Sequence, residues 1–337
     1  MKHVIVHIVD DASWGGVNRL LDCLENAPFG LLHDQHKILR ISRGTRHAPQ
    51  IEADVIVSHM SICWKNVPFF SSLRATYPET SLIHVEHSYS EHYVALNVEK
   101  RDRFDGLMNL SYAMFDKVVA VSTPQREWIS RRNYCQEDQL VTIPSCVNLA
   151  PFQRVANVTP EGPVTVGAIG RFHEQKGFDI LVDAFVRYLP ETIHLRLIGD
   201  GPERAKLMKK AHGKANILFQ ESTSEPALEV AKCDIIAMPS RWEPYGLVAI
   251  EAMSALRPVL CAKVDGLKQH IASGAIAIEE NTALGWSSVL QGLCERRVVN
   301  DLPRASDMAG AEWQFINNWN TLVRGLTTAE LTVQKAA

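Results

Sequence analysis

Short apolar segments of strand length alternate with helical segments along most of this chain of 337 residues. Residues 4–9 predict a strand buried on both faces, and a helix follows the loop at 10–16. Further strands are expected at 37–41, 54–58, 81–86, 117–121 and 139–143, with helices at 67–77, 103–115 and 124–133. Strands that alternate with helices favour a parallel sheet covered on both faces. The first 150 residues therefore predict a doubly wound α/β unit.

The alternation is interrupted at 148–163, a segment with three prolines and little periodicity that we interpret as a linker. Beyond it, strands are expected at 164–169, 193–198, 217–219, 234–238, 259–262 and 275–278, with helices at 178–189, 203–212, 225–232, 282–295 and 312–326. The chain is also too long for one ordinary core. We therefore predict two α/β domains, at 1–150 and 163–311. In doubly wound sheets ligands bind beyond the carboxyl ends of the strands, so two facing units would place a site in the cleft between them.

Composition excludes several classes of protein. A net charge of −3 does not favour a nucleic-acid-binding protein, and 22% charged residues is typical of soluble globular proteins. The apolar segments are too short to span a membrane, and the N-terminal one is too short for a signal peptide. The seven cysteines contain no CxxC pair, which favours free thiols in a reducing compartment. We expect a cytoplasmic protein.

Two carboxylates, Glu243 and Glu251, lie eight residues apart in the segment 238–260. This segment predicts a strand end, a bend with two prolines and a helix that begins near Gly246. The helix is apolar on nearly all faces and should be buried, where a lone carboxylate is costly unless it is hydrogen-bonded. The pair indicates a polar ligand held at the helix start. The alternative is that Glu251 pairs with a structural arginine or lysine.

Two basic residues, Arg171 and Lys176, occupy the turn between the strand at 164–169 and the next helix. Arginine offers a planar fork of donors, lysine a compact charge, and a helix N-terminus free N–H groups with a partial positive charge. Together these groups suit a diphosphate. The alternative is a solvated basic loop.

A glycine pair, Gly15 and Gly16, precedes the first helix and could let the backbone approach an anion closely. A plain tight turn explains the same pair. The pair does not belong to a GxGxxG fingerprint, so a nicotinamide-dependent dehydrogenase lacks its main support.

A histidine-rich segment follows the strand at 81–86 and contains His84, Glu86, His87, Glu91 and His92. Its spacing matches neither HExxH nor a CxxC frame, so zinc is the weaker interpretation. His87 is better placed as a hydrogen-bonding or proton-handling group, with a capping histidine as the alternative. The chain contains no D-x-D triplet, the usual carboxylate holder of a metal–diphosphate complex. We therefore expect no metal and no required cofactor.

The second half resembles the retaining glycosyltransferases of family 4, glycosyltransferase group 1. The resemblance rests on GAIGRFHEQKGFDILVDAF, LIGDGPER and AMPSRWEPYGLVAIEAMSALRPVL, and more loosely on VDGLKQHI, in the family's order over about 164–272. The first half matches more weakly, through GGVNRLL, the histidine at His87 and VVAVSTPQREWI. The resemblance implies the GT-B fold, with two Rossmann-like domains facing across a cleft and the helix at 312–326 packed back on the first domain.

The resemblance also implies residue roles. Arg171 and Lys176 would hold the donor diphosphate, Glu251 the ribose hydroxyls, and Glu243 the sugar hydroxyls near the reacting carbon. Further contacts to the sugar or to phosphate are implied for backbone N–H groups and for two residues of the first domain: Tyr245, Gly246, Leu247, Gly16 and His87.

The implied activity is that of a retaining hexosyltransferase. It would transfer a sugar from a UDP- or GDP-sugar to the hydroxyl of a saccharide or lipid-linked saccharide, as in cell-surface polysaccharide or lipopolysaccharide synthesis. Peripheral contact with the inner membrane face would follow. Acceptor contacts are expected in residues 89–103, whose mixed charge indicates a mobile segment. Three alternatives stay open: an activated-sugar epimerase, a phosphorylase, and a non-catalytic nucleotide-sugar-binding subunit.

Overall fold

The computed structural model describes residues 2–10, 15–26, 34–155, 162–293, 308 and 310–334. Within these ranges the chain forms two compact units. Unit 1 comprises Met1–Asn148 together with Gly310–Ala337, and unit 2 comprises Leu149–Ala309.

Unit 1 contains a six-stranded sheet in the order β2-β1-β3-β4-β5-β6, with every neighbouring pair parallel. Its strands are β1 (Val4–Val9), β2 (Gln35–Arg40), β3 (Val55–Ser58), β4 (Ser81–Glu86), β5 (Lys117–Ala120) and β6 (Leu140–Thr142). Its helices are α1 (Gly16–Glu25), α2 (Val67–Thr76), α3 (Glu91–Asn97), α4 (Arg101–Tyr112), α5 (Thr123–Arg131) and the C-terminal helix α13 (Ala311–Gln334). All residues of β3 and β4 are buried, as continuous apolar strands of a helix-covered sheet should be.

Unit 2 contains a second parallel sheet in the order β12-β11-β10-β7-β8-β9. Its strands are β7 (Val164–Ile169), β8 (Ile193–Ile198), β9 (Ile217–Gln220), β10 (Ile235–Met238), β11 (Val259–Ala262) and β12 (Ile276–Ile278). Its helices are α6 (Ala150–Gln153), α7 (Phe178–Arg187), α8 (Arg204–Lys210), α9 (Pro226–Ala231), α10 (Leu247–Ser254), α11 (Leu267–Ala272) and α12 (Ala283–Gln291). The predicted α/β class with two parallel, helix-covered sheets is confirmed.

The helix α13 packs on the first sheet through Trp319, whose side chain is buried. The indole ring meets the rings of His7 and His36 edge-on, with centroids 5.6 and 6.4 Å apart. Because helix and sheet are at opposite ends of the sequence, this contact joins both termini of the chain into one unit.

Residues 89–103, which we expected to be mobile, contain one helix and the start of another. Ser90 accepts a hydrogen bond from Tyr93 N and starts α3, and α4 begins at Arg101. Serine is a strong N-cap because its hydroxyl satisfies an N–H group of the first turn. The predicted loop at 10–16, the linker at 148–163 and the helix at 282–295 lie partly outside the described residues.

The cysteines of the described residues are free thiols, of which Cys146, Cys233 and Cys261 are buried and three others are half-buried. Burial raises the pKa of the Cys233 thiol to about 12, so this thiol stays protonated at neutral pH. In the described part of the chain, the helices fall short of the length and apolarity that crossing a bilayer requires.

Candidate active site

Two loops of unit 2 leave the sheet at the point where its strand order reverses. The loop at 170–177 follows β7 and the loop at 239–246 follows β10, and these strands are neighbours. From β7 the chain proceeds to β8 and β9 on one side, whereas β11 and β12 lie on the other side, beyond β10. A crevice forms at such a switch point because the two connections diverge.

Gly177 holds these two loops in close contact. Its φ of +66° is in the left-handed region, and a Cβ built on it would lie 2.1 Å from the carbonyl oxygen of Pro239. Only glycine meets both conditions without strain. The glycine at the start of α7 is therefore required by the packing of one site loop against the other.

Arg241 provides a second connection between the loops. Its guanidinium forms a bidentate pair with Asp179 of α7, with N···O distances of 2.8 and 2.7 Å, and also donates to the carbonyl of Glu174 at 2.8 Å. The backbone N–H of Arg241 donates to the carbonyl of Gln175. Burial alone would raise the pKa of Asp179, but the hydrogen bond and charge of Arg241 lower it below its ordinary value. These contacts, which we call the Arg241–Asp179 clamp, hold the 170–177 loop in a fixed position.

Lys176 and Glu243 meet in this crevice. Lys176 Nζ lies 2.5 Å from Glu243 Oε2, and the hydroxyl of Ser240 donates to the same oxygen at 3.1 Å. Glu243 is buried, and Lys176 is half-buried. The other oxygen, Oε1, accepts no hydrogen bond from the described residues, so it can accept one from a ligand hydroxyl group.

The backbone of Glu243 is held on both sides by the loop that follows β11. Its N–H donates to Asp265 Oδ2 at 3.2 Å, and its carbonyl accepts from the N–H of Gly266 at 2.9 Å. A Cβ on Gly266 would lie 2.1 Å from the carbonyl oxygen of Pro244. These contacts fix the direction in which the Glu243 side chain leaves the bend.

Arg171 lies in the same loop as Lys176 and is exposed. Within the described residues its guanidinium forms neither a hydrogen bond nor an ion pair, whereas Lys176 is neutralised by Glu243. The solvated-loop alternative therefore describes Arg171 in this structure but not Lys176. An unpaired guanidinium beside a paired ammonium is suited to bind an added anion.

Helix α10 begins directly after the bend, at Leu247. Gly246 has a φ of +98°, and a Cβ on it would come within 2.7 Å of the Leu267 side chain. Glu251 is 1% exposed, so its carboxylate is buried as the apolar helix predicted. The N–H groups of the first turn of any α-helix lack intrahelical acceptors and favour an anion.

His270 supports the bend from α11. Its Nε2 lies 2.9 Å from the carbonyl oxygen of Tyr245. Burial lowers the pKa of His270 to about 4 despite this hydrogen bond, which by itself would raise it. The ring is therefore neutral at pH 7, with Nε2–H as the donor.

The sequence did not point to several residues that position the site: Ser240, Arg241, Asp179, Asp265, His270 and Asn281. Five of them lie in segments that carry the resemblance, although no role was implied for them: Asp179 in GAIGRFHEQKGFDILVDAF, Ser240 and Arg241 in AMPSRWEPYGLVAIEAMSALRPVL, and Asp265 and His270 in VDGLKQHI. Asn281, which donates to the carbonyls of Pro239 and Ser240, lies outside these segments. Their roles depend on contacts between loops that are distant in sequence.

The two predicted residues of unit 1 are Gly16 and His87. Gly16 is the first residue of α1, and Gly15 before it is the N-cap. His87 directly follows β4 and is half-buried. Its Nε2 lies 2.8 Å from His59 Nδ1.

The turn that carries His87 is fixed by buried polar groups. The Glu86 carboxylate accepts hydrogen bonds from Ser88 N, Tyr89 N and the Tyr112 hydroxyl, at 2.7, 2.9 and 3.0 Å. Gln125 of α5 donates to the carbonyls of Glu86 and Tyr89. Burial by itself raises the pKa of Glu86, but the nearby His84 and the backbone N–H groups of Tyr89 and Ser88 lower it overall.

The side chains of the histidine-rich segment do not converge on one point in the structure. Groups of three or more potential ligands are absent from the described part of the chain. Glu91 pairs with Arg131 at 3.0 Å, and His84 Nε2 lies 3.5 Å from Glu86 Oε2, an ion-pair distance beyond a good hydrogen bond.

Comparison with known proteins adds a family match for unit 2. Residues 163–294 match the family model described as "Glycosyl transferases group 1". An uncharacterized glycosyltransferase of Methanocaldococcus jannaschii is 34% identical over 173 residues, covering 49% of this chain and 48% of that protein. A D-inositol 3-phosphate glycosyltransferase of Jonesia denitrificans is 33% identical over 157 residues, covering 41% of this chain and 37% of that protein. The matched segments thus span about half or less of these relatives.

Solved structures match over the whole chain at low sequence identity. The Anabaena HepE protein, solved with UDP and glucose, has a TM-score of 0.66 at 14% identity and 98% coverage of both chains. The sucrose-phosphate synthase of Thermosynechococcus elongatus has a TM-score of 0.67 at 18% identity and 100% coverage of both chains. A glycosyltransferase of Rickettsia africae gives 0.69 at 17% identity, also with full coverage. The predicted GT-B fold, with its two Rossmann-like units, is confirmed.

Proposed function

We propose that this protein is a glycosyltransferase that transfers a hexosyl group from a nucleoside-diphosphate sugar to an acceptor hydroxyl with retained anomeric configuration. The observation that carries the proposal is the contact of Lys176 with Glu243. It lies where the strand order of the second sheet reverses, within the residues that match the glycosyltransferase family model. A cation and an acceptor oxygen side by side suit a substrate that carries both phosphate and hydroxyl groups. Proteins of similar fold have been solved in complex with UDP, UDP-glucose or ADP. UDP is the nucleotide part of one of the two donors expected here, a UDP- or GDP-sugar.

In this mechanism the positive charges act on the leaving nucleoside diphosphate. Breaking the bond from the sugar to the diphosphate leaves negative charge on phosphate oxygens, and fixed donors there lower the barrier. Arg171 supplies an unpaired guanidinium, and Lys176 has three N–H donors, of which Glu243 engages one. The N–H groups of Tyr245, Gly246 and Leu247 are proposed for the sugar or the distal phosphate, and Gly16 for the diphosphate.

The carboxylates have different proposed roles. Glu243 binds sugar hydroxyls through Oε1 while Lys176 and Ser240 hold Oε2, and it is not a covalent nucleophile. Glu251, buried inside α10, takes the ribose hydroxyls. His87 contacts the sugar, and the leaving phosphate oxygen accepts the proton of the acceptor hydroxyl. The proposed acceptor is a saccharide or lipid-linked saccharide in cell-surface polysaccharide synthesis.

The donor is identified by a thermal-shift panel of UDP, GDP and ADP together with their sugars. We expect one base to raise Tm at micromolar to millimolar concentration, because binding to the folded state alone stabilises it by mass action. No shift with any nucleotide would contradict the donor site. Consumption of the donor without an acceptor would indicate an epimerase, a strict requirement for phosphate a phosphorylase, and binding without turnover a non-catalytic subunit.

A further inference from the structure

Four histidines of unit 1 form a continuous row of hydrogen-bonded imidazoles. His36 Nδ1 lies 2.8 Å from His7 Nε2, and His7 Nδ1 lies 2.9 Å from His59 Nε2. His59 Nδ1 lies 2.8 Å from His87 Nε2, which completes the histidine row. Successive ring centroids are 5.1 Å apart at each of these contacts. Every contact joins a δ nitrogen to an ε nitrogen, so all four rings are oriented in the same direction along the row.

The sheet topology explains the row. Its members lie on or directly after β2, β1, β3 and β4, which are consecutive strands of the sheet. His7 pairs with Ile38 on one side and with Val57 on the other, so His36 lies two residues before one partner and His59 two residues after the other. Side chains two residues apart on a strand share a face, so these rings are diagonal neighbours.

Neutral imidazoles restrict the protons of such a row to two arrangements. Each neutral ring carries one N–H, and each N···N hydrogen bond requires one donor nitrogen and one acceptor nitrogen. With all the hydrogen bonds of the row formed, every ring is protonated at Nε2 or every ring is protonated at Nδ1. In the first arrangement His87 Nδ1 is an acceptor, and in the second it is a donor. The terminal nitrogens, His36 Nε2 and His87 Nδ1, form no hydrogen bond with the described residues.

We propose that the histidine row is a proton relay that connects His87 to His36 and sets whether His87 Nδ1 donates or accepts a hydrogen bond. A proton added at His87 Nδ1 makes this ring an imidazolium, which passes its Nε2 proton to His59 Nδ1. The same transfer continues from His59 to His7 and from His7 to His36. His36 then releases its Nε2 proton to water, so one proton enters, one leaves, and the row changes from the Nε2–H to the Nδ1–H form.

Each end of the row lies near a carboxylate. Burial lowers the pKa of His36 and of His87, but the charges of Asp34 and Glu86 oppose this lowering, so each carboxylate favours a proton at its own end. Trp319 of α13 meets the rings of His7 and His36 edge-on. The interior members of the row are His7 and His59, and no carboxylate is among the groups that shift their pKa values. A protonated His7 or His59 is therefore a transient state.

Burial keeps the row neutral at physiological pH, as the two-arrangement model requires. Burial is the main cause that lowers the pKa of His36 and of His87 to about 4. It lowers the pKa of His7 and of His59 well below the ordinary value, with further lowering from the neighbouring imidazoles, including His84 for His59. A neutral row near pH 7 can accept one proton without first losing another.

Only the identity of the ligand at His87 rests on the proposed function. If His87 contacts a sugar hydroxyl, the state of the row decides whether that hydroxyl meets a donor or an acceptor. The relay itself is a property of the unliganded protein and can be tested without nucleotide or sugar.

The test is NMR on the full chain labelled with 15N-histidine. We expect the four rings to carry their proton on the same nitrogen at pH 7, with N–N couplings across all three contacts. On acidification the first protonation step should shift the resonances of all four rings, because the macroscopic pKa values of coupled sites belong to the group and not to one ring. Rings protonated on different nitrogens, or a first step confined to one ring, would overturn the proposal.

A matched pair of variants tests the connection through the row. His59→Phe removes the central link, so His87 should take the mixed tautomers of an isolated imidazole and titrate independently of His7. His3→Phe, which removes a half-buried histidine bound to Asp34 outside the row, should leave the common tautomer intact. An unchanged His87 in folded His59→Phe would overturn the relay, and if that variant does not fold, the wild-type spectra decide. Loss of sugar transfer with an intact row would count against the proposed function alone.

Discussion

The ammonium nitrogen of Lys176 lies 2.5 Å from Oε2 of Glu243, although the two residues are 67 positions apart in the chain. The contact crosses from the loop after β7 to the loop after β10, so it exists only because these strands are adjacent. It leaves Lys176 neutralised before a ligand binds, while Arg171 stays unpaired among the described residues. The site therefore combines one paired and one unpaired cation, which suggests unequal contributions to anion binding.

We expect Lys176→Ala and Glu243→Ala to be strongly non-additive, because each change leaves the partner unpaired in a largely buried position. A double-mutant cycle in urea should give a coupling energy of about 1–3 kcal/mol. The pair of exposed Lys206 with half-buried Glu203 is the control, for which little or no coupling is expected because solvent screens the lysine. Additive effects at Lys176 and Glu243 would show that the contact contributes nothing in solution. Glu243→Ala should also reduce turnover far more than nucleoside-diphosphate affinity.

Arg171→Ala should weaken nucleoside-diphosphate binding about tenfold or more and reduce sugar transfer by on the order of 100-fold, because a donor to the leaving phosphate is lost. Isothermal titration calorimetry and a transfer assay measure the two effects. Arg187→Ala changes another exposed arginine of the same unit, at the opposite end of α7, and should alter neither. Full activity of Arg171→Ala would remove the diphosphate role of this residue.

Gly177→Ala should destabilise the protein by about 2 kcal/mol more than Gly213→Ala. Both glycines have positive φ, of +66° and +82°, but a Cβ at Gly177 would clash with the carbonyl oxygen of Pro239 while one at Gly213 meets no atom within 4 Å. The control variant isolates the backbone strain of about 1 kcal/mol. If Gly177→Ala and Gly213→Ala had equal midpoints in chemical denaturation, this would argue against tight packing of the two site loops.

Stability should fall as the pH is lowered from about 6.5 to about 4. The pKa of His270 is lowered from 6.5 to about 4 in the folded protein, so between these values the unfolded chain binds more protons. His270 accounts for at most about 3 kcal/mol of this loss. His270→Asn should flatten the dependence, whereas exposed His212→Asn should not. Urea unfolding at several pH values measures how the free energy of unfolding of each variant depends on pH. If this dependence were unchanged in His270→Asn, the lowered pKa of His270 would be contradicted.

A chelator such as EDTA should leave sugar transfer largely intact, since Arg171 and Lys176 are proposed to supply the positive charge. The assay compares turnover before and after extensive dialysis against chelator. Complete loss of activity that is restored by a divalent cation would contradict the proposed metal-independent mechanism.

Local patterns explain why the sequence predicted so much of the fold. The strands β1, β4, β7 and β8 have the predicted bounds, because apolar segments of strand length ending at Gly, Pro or charged residues are a local signal. At 89–103 a mixed-charge composition suggested a mobile segment, whereas the Ser90 cap and a helical face that buries Phe104 and Leu107 produce two helices there.

By itself the sequence determined the two α/β units, the loops that carry Arg171, Lys176, Glu243 and His87, and the burial of Glu251. These depend on residue order, hydrophobic period and turn chemistry over short distances. Only the tertiary structure decided which loops meet, because strand order and register are set by packing between distant segments. The Lys176–Glu243 contact, the Arg241–Asp179 clamp and the histidine row all join residues from different strands or loops, and no local pattern encodes such neighbours.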